Sequence, residues 1–358
     1  MHLIASYYSV GYYSLDEHFQ ILEPLGYKLN LRLGISSIWE FHDTIKLRPW
    51  SQVYFYYFIV KLLIFFGLND PFIWSFCLRL ISSMIGFVSL LCLYKLFLRE
   101  IDFKKYSLII FFLFWFYPII HARTSSENLG ISFFIIGTTL LINVLNNYYN
   151  KNLLKHCIKI LLFSFIIGFS IVFRFNLGFF AIPLFFWLFY KYRSVLINIL
   201  YSIGIIFALL AGLITDFFGY NNVITFTYYN YFYFNIISGA FERFGVDPWY
   251  YYFSETLSKF SPPISIIILF SSLFFWLKNK KNVFTWMTSF YFIVFCYLSH
   301  KELRFIFPVL YLTPIFCIFF FEYFKTLKVI NFLKYFLYLL ILFFYYKYFY
   351  QQTERFIF

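Results

Sequence analysis

After residue 50 the chain is a nearly unbroken series of hydrophobic runs, and that series fixes the solvent it folds in. The runs fall at roughly 52–68, 72–97, 107–120, 129–145, 158–173, 177–190, 195–214, 262–277, 284–298, 305–321 and 332–350, and the only long break among them is 215–259. A helix needs about 20 apolar residues to cross the hydrocarbon of a bilayer. Of the 358 residues, 62% are hydrophobic and 13% charged, against roughly half and a quarter in soluble domains. No single core buries that much apolar surface, so the solvent is lipid. Backbone in lipid must satisfy its own hydrogen bonds, which helices do. The expected fold is all-α: a polytopic transmembrane helical bundle of about 10–12 spans. One integral membrane domain, 1–358, carries outer loops at 16–50 and 215–259.

Composition excludes other classes. Aromatics make up 28%, with 58 Phe and 34 Tyr, and read as the codon bias of an AT-rich genome rather than as platforms for stacking bases. The net charge of +13 is no nucleic-acid signal either, because the basic residues sit in short clusters between the runs. Clusters such as Lys95/Arg99/Lys104/Lys105, Lys191/Arg193 and Lys278/Lys280/Lys281 orient spans and are cytoplasmic by the positive-inside rule. The five cysteines (Cys77, Cys92, Cys157, Cys296, Cys317) have no metal-ligand spacing, and no metal site is expected. Residues 1–15 are marginal for a span, so either the first helix is short or the true start lies upstream of Met1. No cleavable signal peptide is read there.

The acids are segregated. Of 16 Asp and Glu, 11 lie in the expected outer loops: Asp16, Glu17, Glu23, Glu40, Asp43, Glu127, Asp216, Glu242, Asp247, Glu255 and Glu302. His18, His42, His121 and His300 join them. This distribution places any chemistry at the outer surface rather than along a path through the membrane. One conflict stands: two runs before residue 99 give an even number of crossings where an odd number is needed. Either 52–68, with Lys61 inside it, does not cross, or its boundaries are misplaced.

Three polar stretches carry candidate chemistry. In the first, Ser14 to Glu23, a helix would put Asp16, Gln20 and Glu23 on one face and turn Glu17 about 100° away. That is either a polar face holding one acid against a substrate or acids placed at a helix N-terminus for its dipole. In the second, His300-Lys301-Glu302-Leu303-Arg304, donors gather at a span end beside a carboxylate. An anionic head group suits such a cluster, with Arg as a bidentate clamp. Snorkelling explains one cation, not four consecutive polar groups such as Ser299 to Glu302. The third, 121–128, holds Arg123 and Glu127 at ion-pair spacing for a helix, with Ser125 or Ser126 as its cap. Arg48, Arg174 and Asp216 are isolated charges at span mouths.

His300-Lys301-Glu302-Leu303-Arg304-Phe305 resembles the His-Lys-Glu-x-Arg-Phe signature of the mannosyltransferases that extend dolichol-linked oligosaccharides and the GPI-anchor core, members of the GT-C superfamily. Asp16-Glu17 with Phe19-Gln20 resembles that family's first-loop Asp-Glu motif, and Arg48 its Arg before the second hydrophobic segment. Arg123-Thr124 with Glu127 resembles its Arg-Thr turn. Asp216, Gly219-Tyr220, Asn230, Asn235, Gly239, Gly245 and Pro248-Trp249 keep the order of its long outer loop. The match runs from about residue 16 to 311. It departs at Leu15, where Pro is usual, and at Arg174-Phe175-Asn176, which replaces Arg-Pro-Thr.

The resemblance implies a GT-C fold and an inverting glycosyltransferase, a mannosyltransferase first. Its donor is a polyprenyl-phosphate sugar and its acceptor a glycan or glycolipid, joined on the outer face. No cofactor, obligatory metal or nucleic-acid partner is implied; membrane lipid is the only other partner. Asp16, or Glu17 in its place, is the implied base. His300, Lys301, Arg304, Arg123 and Arg48 are the implied phosphate-binding cations, with Glu302, Asp216, Gln20, Glu127 and Arg174 in support. The alternative class is a transporter or flippase of lipid-linked sugars. The compact chain without retention signals leans towards a bacterial plasma membrane over the endoplasmic reticulum.

Overall fold

The computed structural model describes residues 1–9, 11–12, 14–31, 34–35, 38–97, 116–146, 153–259 and 264–324. Among the described residues all regular structure is helical. Five helices among the described residues are long and apolar enough to cross a membrane: Pro71–Phe97, Ser126–Asn146, Leu153–Phe173, Phe175–Tyr192 and Val195–Gly219. Leu303–Leu310 and Thr313–Phe324, bent by 51° at their junction, make a sixth if they form one span. Ser51–Phe65, Ile264–Lys278 and Val283–Tyr297 are shorter apolar helices of 15 residues each. Each expected run from 52 to 321 thus has its helix, apart from most of 107–120. That stretch and 332–350 lie outside the described residues. The chain is an integral membrane protein built as an all-α polytopic bundle.

Local chemistry accounts for the helix ends. Asn282 starts Val283–Tyr297 by accepting the Phe284 N–H at 2.9 Å, and Ser125 accepts the Asn128 N–H at 3.4 Å ahead of Ser126–Asn146. Both are side-chain caps for N–H groups that have no partner in the first turn. At the bend, Pro314 has no N–H to offer the Leu310 carbonyl. The Thr313 hydroxyl donates to that carbonyl instead, at 2.7 Å.

Small residues bring the long helices together, as membrane packing requires. Leu153–Phe173 lies between Ser126–Asn146 and Val195–Gly219. A Cβ on Gly204 would stand 2.7 Å from the Leu161 carbonyl oxygen, and one on Gly137 would stand 2.7 Å from Ile167 Cγ1. No side chain fits between these backbones.

The helix directions sort the molecule into two ends. Glu127, Arg174 and His300, at one end of Ser126–Asn146, Leu153–Phe173 and Val283–Tyr297 respectively, gather around the first loop. Asn146, Lys191 and Lys281 gather at the other, basic end with Lys95. Pro71–Phe97 therefore starts on the first-loop side. Ser51–Phe65 begins at that side and is joined to Pro71 by a five-residue turn, so both its ends lie there. A helix with both ends on one side adds no crossing, and the count of crossings before residue 99 becomes odd. Phe58, Leu62 and Phe65 are exposed along it, and Lys61 folds over the Tyr57 ring at 5.5 Å.

Candidate functional site

At the first-loop end a cavity of about 470 Å³ opens between residues 15–19 and 38–48, Arg174, the 231–244 segment and the turn at 300–305. Asp16 projects into it from the short helical turn Leu15–Glu17. Ser14 caps that turn, accepting the Asp16 N–H at 3.2 Å. The same Ser14 hydroxyl accepts a hydrogen bond from Arg304 Nη1 at 2.8 Å, and Arg304 Nη1 stands 2.5 Å from Asp16 Oδ2. Arg304 turns its other edge to Glu302, with Nε 2.6 Å from Oε2 and Nη2 2.7 Å from Oε1. One guanidinium thus holds the carboxylates of Asp16 and Glu302, and its contact with Ser14 closes 290 residues of chain.

Two further cations face Asp16 without touching it. Arg48 Nη2 and Nε lie 2.6 and 2.9 Å from Glu40 Oε1, with the guanidinium over the Tyr231 ring at 5.4 Å. Arg174 Nη2 lies 2.9 Å from Glu127 Oε1. Burial favours the neutral form of Asp16, but Arg48, Arg304 and Arg174 outweigh it and hold the carboxyl below the usual range. His300 completes the wall, 3.4 Å from Glu302 Oε1 and packed against Phe241 and Phe305. Each arginine at the cavity carries its own acid. Removing either member of a buried pair such as Arg48–Glu40 leaves a stranded charge, at a cost of about 3–5 kcal/mol.

Of the implied site residues, Asp16, Arg48, Arg174, His300, Glu302 and Arg304 meet at this cavity, and the other six sit elsewhere, Glu127 just behind it as the partner of Arg174. Glu17 is only 4% exposed and points away, accepting the Thr124 N–H at 2.7 Å and hydroxyl at 2.8 Å. It ties the first loop to the 121–128 turn. Gln20, inside a π-turn at His18–Leu22, is buried and does not join Asp16 at the cavity. Asp216 is fully buried, accepting the Trp50 N–H at 2.7 Å and the Thr227 hydroxyl at 2.6 Å, where it starts Ser51–Phe65. Lys301 is 3% exposed, and its amine donates to the carbonyls of Asp247 (2.9 Å), Leu298 and Ser299. It fastens the long outer loop and does not reach the cavity. Arg123 donates to the Gly11 carbonyl at 2.9 Å and shares a void of about 20 Å³ with Ser14, Glu127 and Arg304. It does not pair with Glu127, since the helix begins only at Ser126.

Lys301→Met is accordingly expected to lower thermal stability by about 1.5–3 kcal/mol, the worth of hydrogen bonds to a charged donor. The KM for donor should stay within about twofold of wild type, since only uniform binding energy moves KM alone. A large rise in KM without loss of melting temperature would return Lys301 to the binding site.

Sequence reasoning did not single out Glu40, Tyr231 or Asn128. Glu40 was one acid among many, though a buried Arg48 demands a counter-ion nearby. The Asn128 amide donates to the carbonyls of His121 (2.9 Å) and Arg123 (2.8 Å), holding the turn from behind. Behind that turn a buried chain runs from His2 to His121 (2.8 Å), to the Tyr311 hydroxyl (3.0 Å) and on to Ser89.

Comparison with known proteins meets this geometry from another direction. The family model described as the Alg9-like mannosyltransferase family matches residues 1–355. GPI mannosyltransferase 3 of Candida albicans is 26% identical over 305 residues, 83% of this chain and 57% of that protein. GPI alpha-1,2-mannosyltransferase 3 of Bos taurus is 27% identical over 321 residues, 87% and 55% of the two chains. Alpha-1,2-mannosyltransferase ALG9 of Saccharomyces cerevisiae is 27% identical over 313 residues, 82% and 52%. The chain spans about half the length of these curated relatives. They are eukaryotic, so a bacterial origin is not favoured. No solved structure matches. With the family model matched along nearly its whole length and the motif residues Asp16 and Arg304 in contact, the chain belongs to the Alg9-like mannosyltransferase family.

Proposed function

We propose that the chain is an inverting mannosyltransferase that moves mannose from a polyprenyl phosphate to a hydroxyl of a lipid-linked glycan, on the lumenal face of a eukaryotic internal membrane. The observation that carries this reading is the Asp16–Arg304 contact inside a cavity that Arg48 and Arg174 also face. A carboxylate and a cluster of fixed cations are the two parts that displacement at a sugar phosphate requires. The acceptor oxygen forms its bond to the anomeric carbon as the bond to the phosphate oxygen breaks. The hydroxyl proton passes to Asp16. The electron pair leaves on the lipid phosphate, whose charge Arg304, Arg48 and Arg174 meet. A single displacement by this route inverts the anomeric centre. Glu17, engaged by Thr124, is the weaker candidate for the base. The names of two relatives favour an α-1,2 linkage.

These arginines supply the charge that a divalent metal supplies in other transferases, and the reaction takes no metal. The test is transfer in isolated membranes from labelled polyprenyl-phosphate mannose, with and without EDTA. Transfer from the lipid donor, unchanged by EDTA, is expected. Activity from a nucleotide sugar alone, with synthesis of the lipid donor blocked, would remove the donor assignment.

A further inference from the structure

A second polar cavity, larger than the candidate site, lies at the other end of the bundle. It measures about 690 Å³, and the ends of Pro71–Phe97, Ser126–Asn146, Gly178–Tyr192 and Val283–Tyr297 enclose it. Lys95, Lys191, Lys281, Asn143, Asn146 and Asn282 line it, and among the described residues no carboxylate does. We propose that this cavity binds the phosphorylated head group of an anionic phospholipid from the cytoplasmic leaflet.

Charge is the first argument. Three exposed lysines line one cavity, and neither Lys95 nor Lys281 has a carboxylate partner among the described residues. The Val283–Tyr297 helix opens at the same wall, adding the positive end of a 15-residue dipole and a capping Asn282. An anion with several acceptor oxygens matches this set of donors.

The wall is also built rather than accidental. The Trp187 indole N–H donates to the Lys281 carbonyl at 2.9 Å, and the Tyr192 hydroxyl to Asn146 Oδ1 at 3.0 Å. Lys191 lies over the Trp187 ring at 4.8 Å and 3.4 Å from Asn146 Oδ1. These bonds join three helix ends around the space. The volume falls in the range of about 300–1,000 Å³ typical of small-molecule sites.

Position selects a lipid over a soluble phosphate. The cavity sits at the ends of apolar helices, among them the candidate spans Pro71–Phe97 and Ser126–Asn146, on the basic side that the positive-inside rule makes cytoplasmic. That leaflet carries the anionic lipids, each nearby Lys contributing about 1 kcal/mol to their attraction. Half-buried Leu96, backed by the buried Phe97 and Phe284, gives the rim an apolar surface for the glycerol and the first methylenes.

The test uses the full chain in detergent and short-chain (dioctanoyl) phosphatidylinositol 4-phosphate, read as a concentration-dependent rise in melting temperature. The triple variant Lys95→Gln/Lys191→Gln/Lys281→Gln is expected to bind about 100-fold more weakly. Lys155→Gln/Lys159→Gln, on the same basic end but outside the cavity, should keep wild-type affinity. If the triple variant does not fold, Lys95→Gln alone, an exposed change, should cost about fivefold. Wild-type affinity in the cavity variants, or equal loss in the Lys155/Lys159 pair, would overturn the site. Equal binding of soluble inositol 1,4-bisphosphate would overturn the lipid assignment.

Discussion

Asp16→Asn is expected to lower turnover about 10²- to 10⁴-fold, the range that a positioned general base contributes, with little change in the donor KM. The substitution is chosen for its geometry. The Asn amide oxygen can still accept from Arg304 at the position of Oδ2, where the pair now stands at 2.5 Å. Ser14 still caps the turn through the backbone N–H of residue 16. What disappears is the capacity to take a proton. Glu17→Gln makes the contrast: its carboxylate accepts both Thr124 donors, so its loss should appear as reduced melting temperature and yield. Activity per folded molecule in membranes, with polyprenyl-phosphate mannose as donor, separates the two. Turnover within about threefold of wild type in Asp16→Asn would take Asp16 out of the mechanism.

The contrast also shows which parts of the site were open to reading in the sequence. Hydropathy alone yielded the helices, because in lipid the length of an apolar run is a physical requirement. The contact between Asp16 and Arg304 was foreseen only as membership of one membrane face, since 288 positions separate the two numbers. The register of Asp16 against Glu17 was not legible. It is set by contacts with distant residues, Glu17 with Thr124 and Asp16 with Arg304, and no periodicity in the sequence announces them. Lys301 and Asp216 misled for a shared reason. A charge between hydrophobic runs signals that it is used, not what it is used for. Lys301 is used up on loop carbonyls and Asp216 on the first N–H of a helix. Glu40 escaped notice because pairing partners across a loop have no fixed spacing, whereas i,i+4 partners do.

Arg304→Gln should have the second large effect, and in two parts. The loss of one fixed cation from the leaving phosphate is expected to cost about 10²- to 10³-fold in turnover, as removing one oxyanion donor does elsewhere. The second part is a pH shift whose sign follows from the geometry. Asp16 works as a base only when ionised, so turnover falls as pH drops through its pKa. Burial raises that pKa, while Arg48, Arg304 and Arg174 lower it by more. Removing Arg304 lets the pKa rise, so the acid limb of the turnover profile must move to higher pH. Arg48 and Arg174 remain, so the movement is partial. Arg304→Lys keeps a charge but not the fork that grips Glu302 through two nitrogens, and should fall between the two. The same linkage couples donor binding to base strength. A donor phosphate that draws Arg304 away from Asp16 frees the carboxylate at the moment the acceptor needs it. A profile with an unmoved acid limb in Arg304→Gln would break that coupling, and unchanged turnover would remove Arg304 from the phosphate.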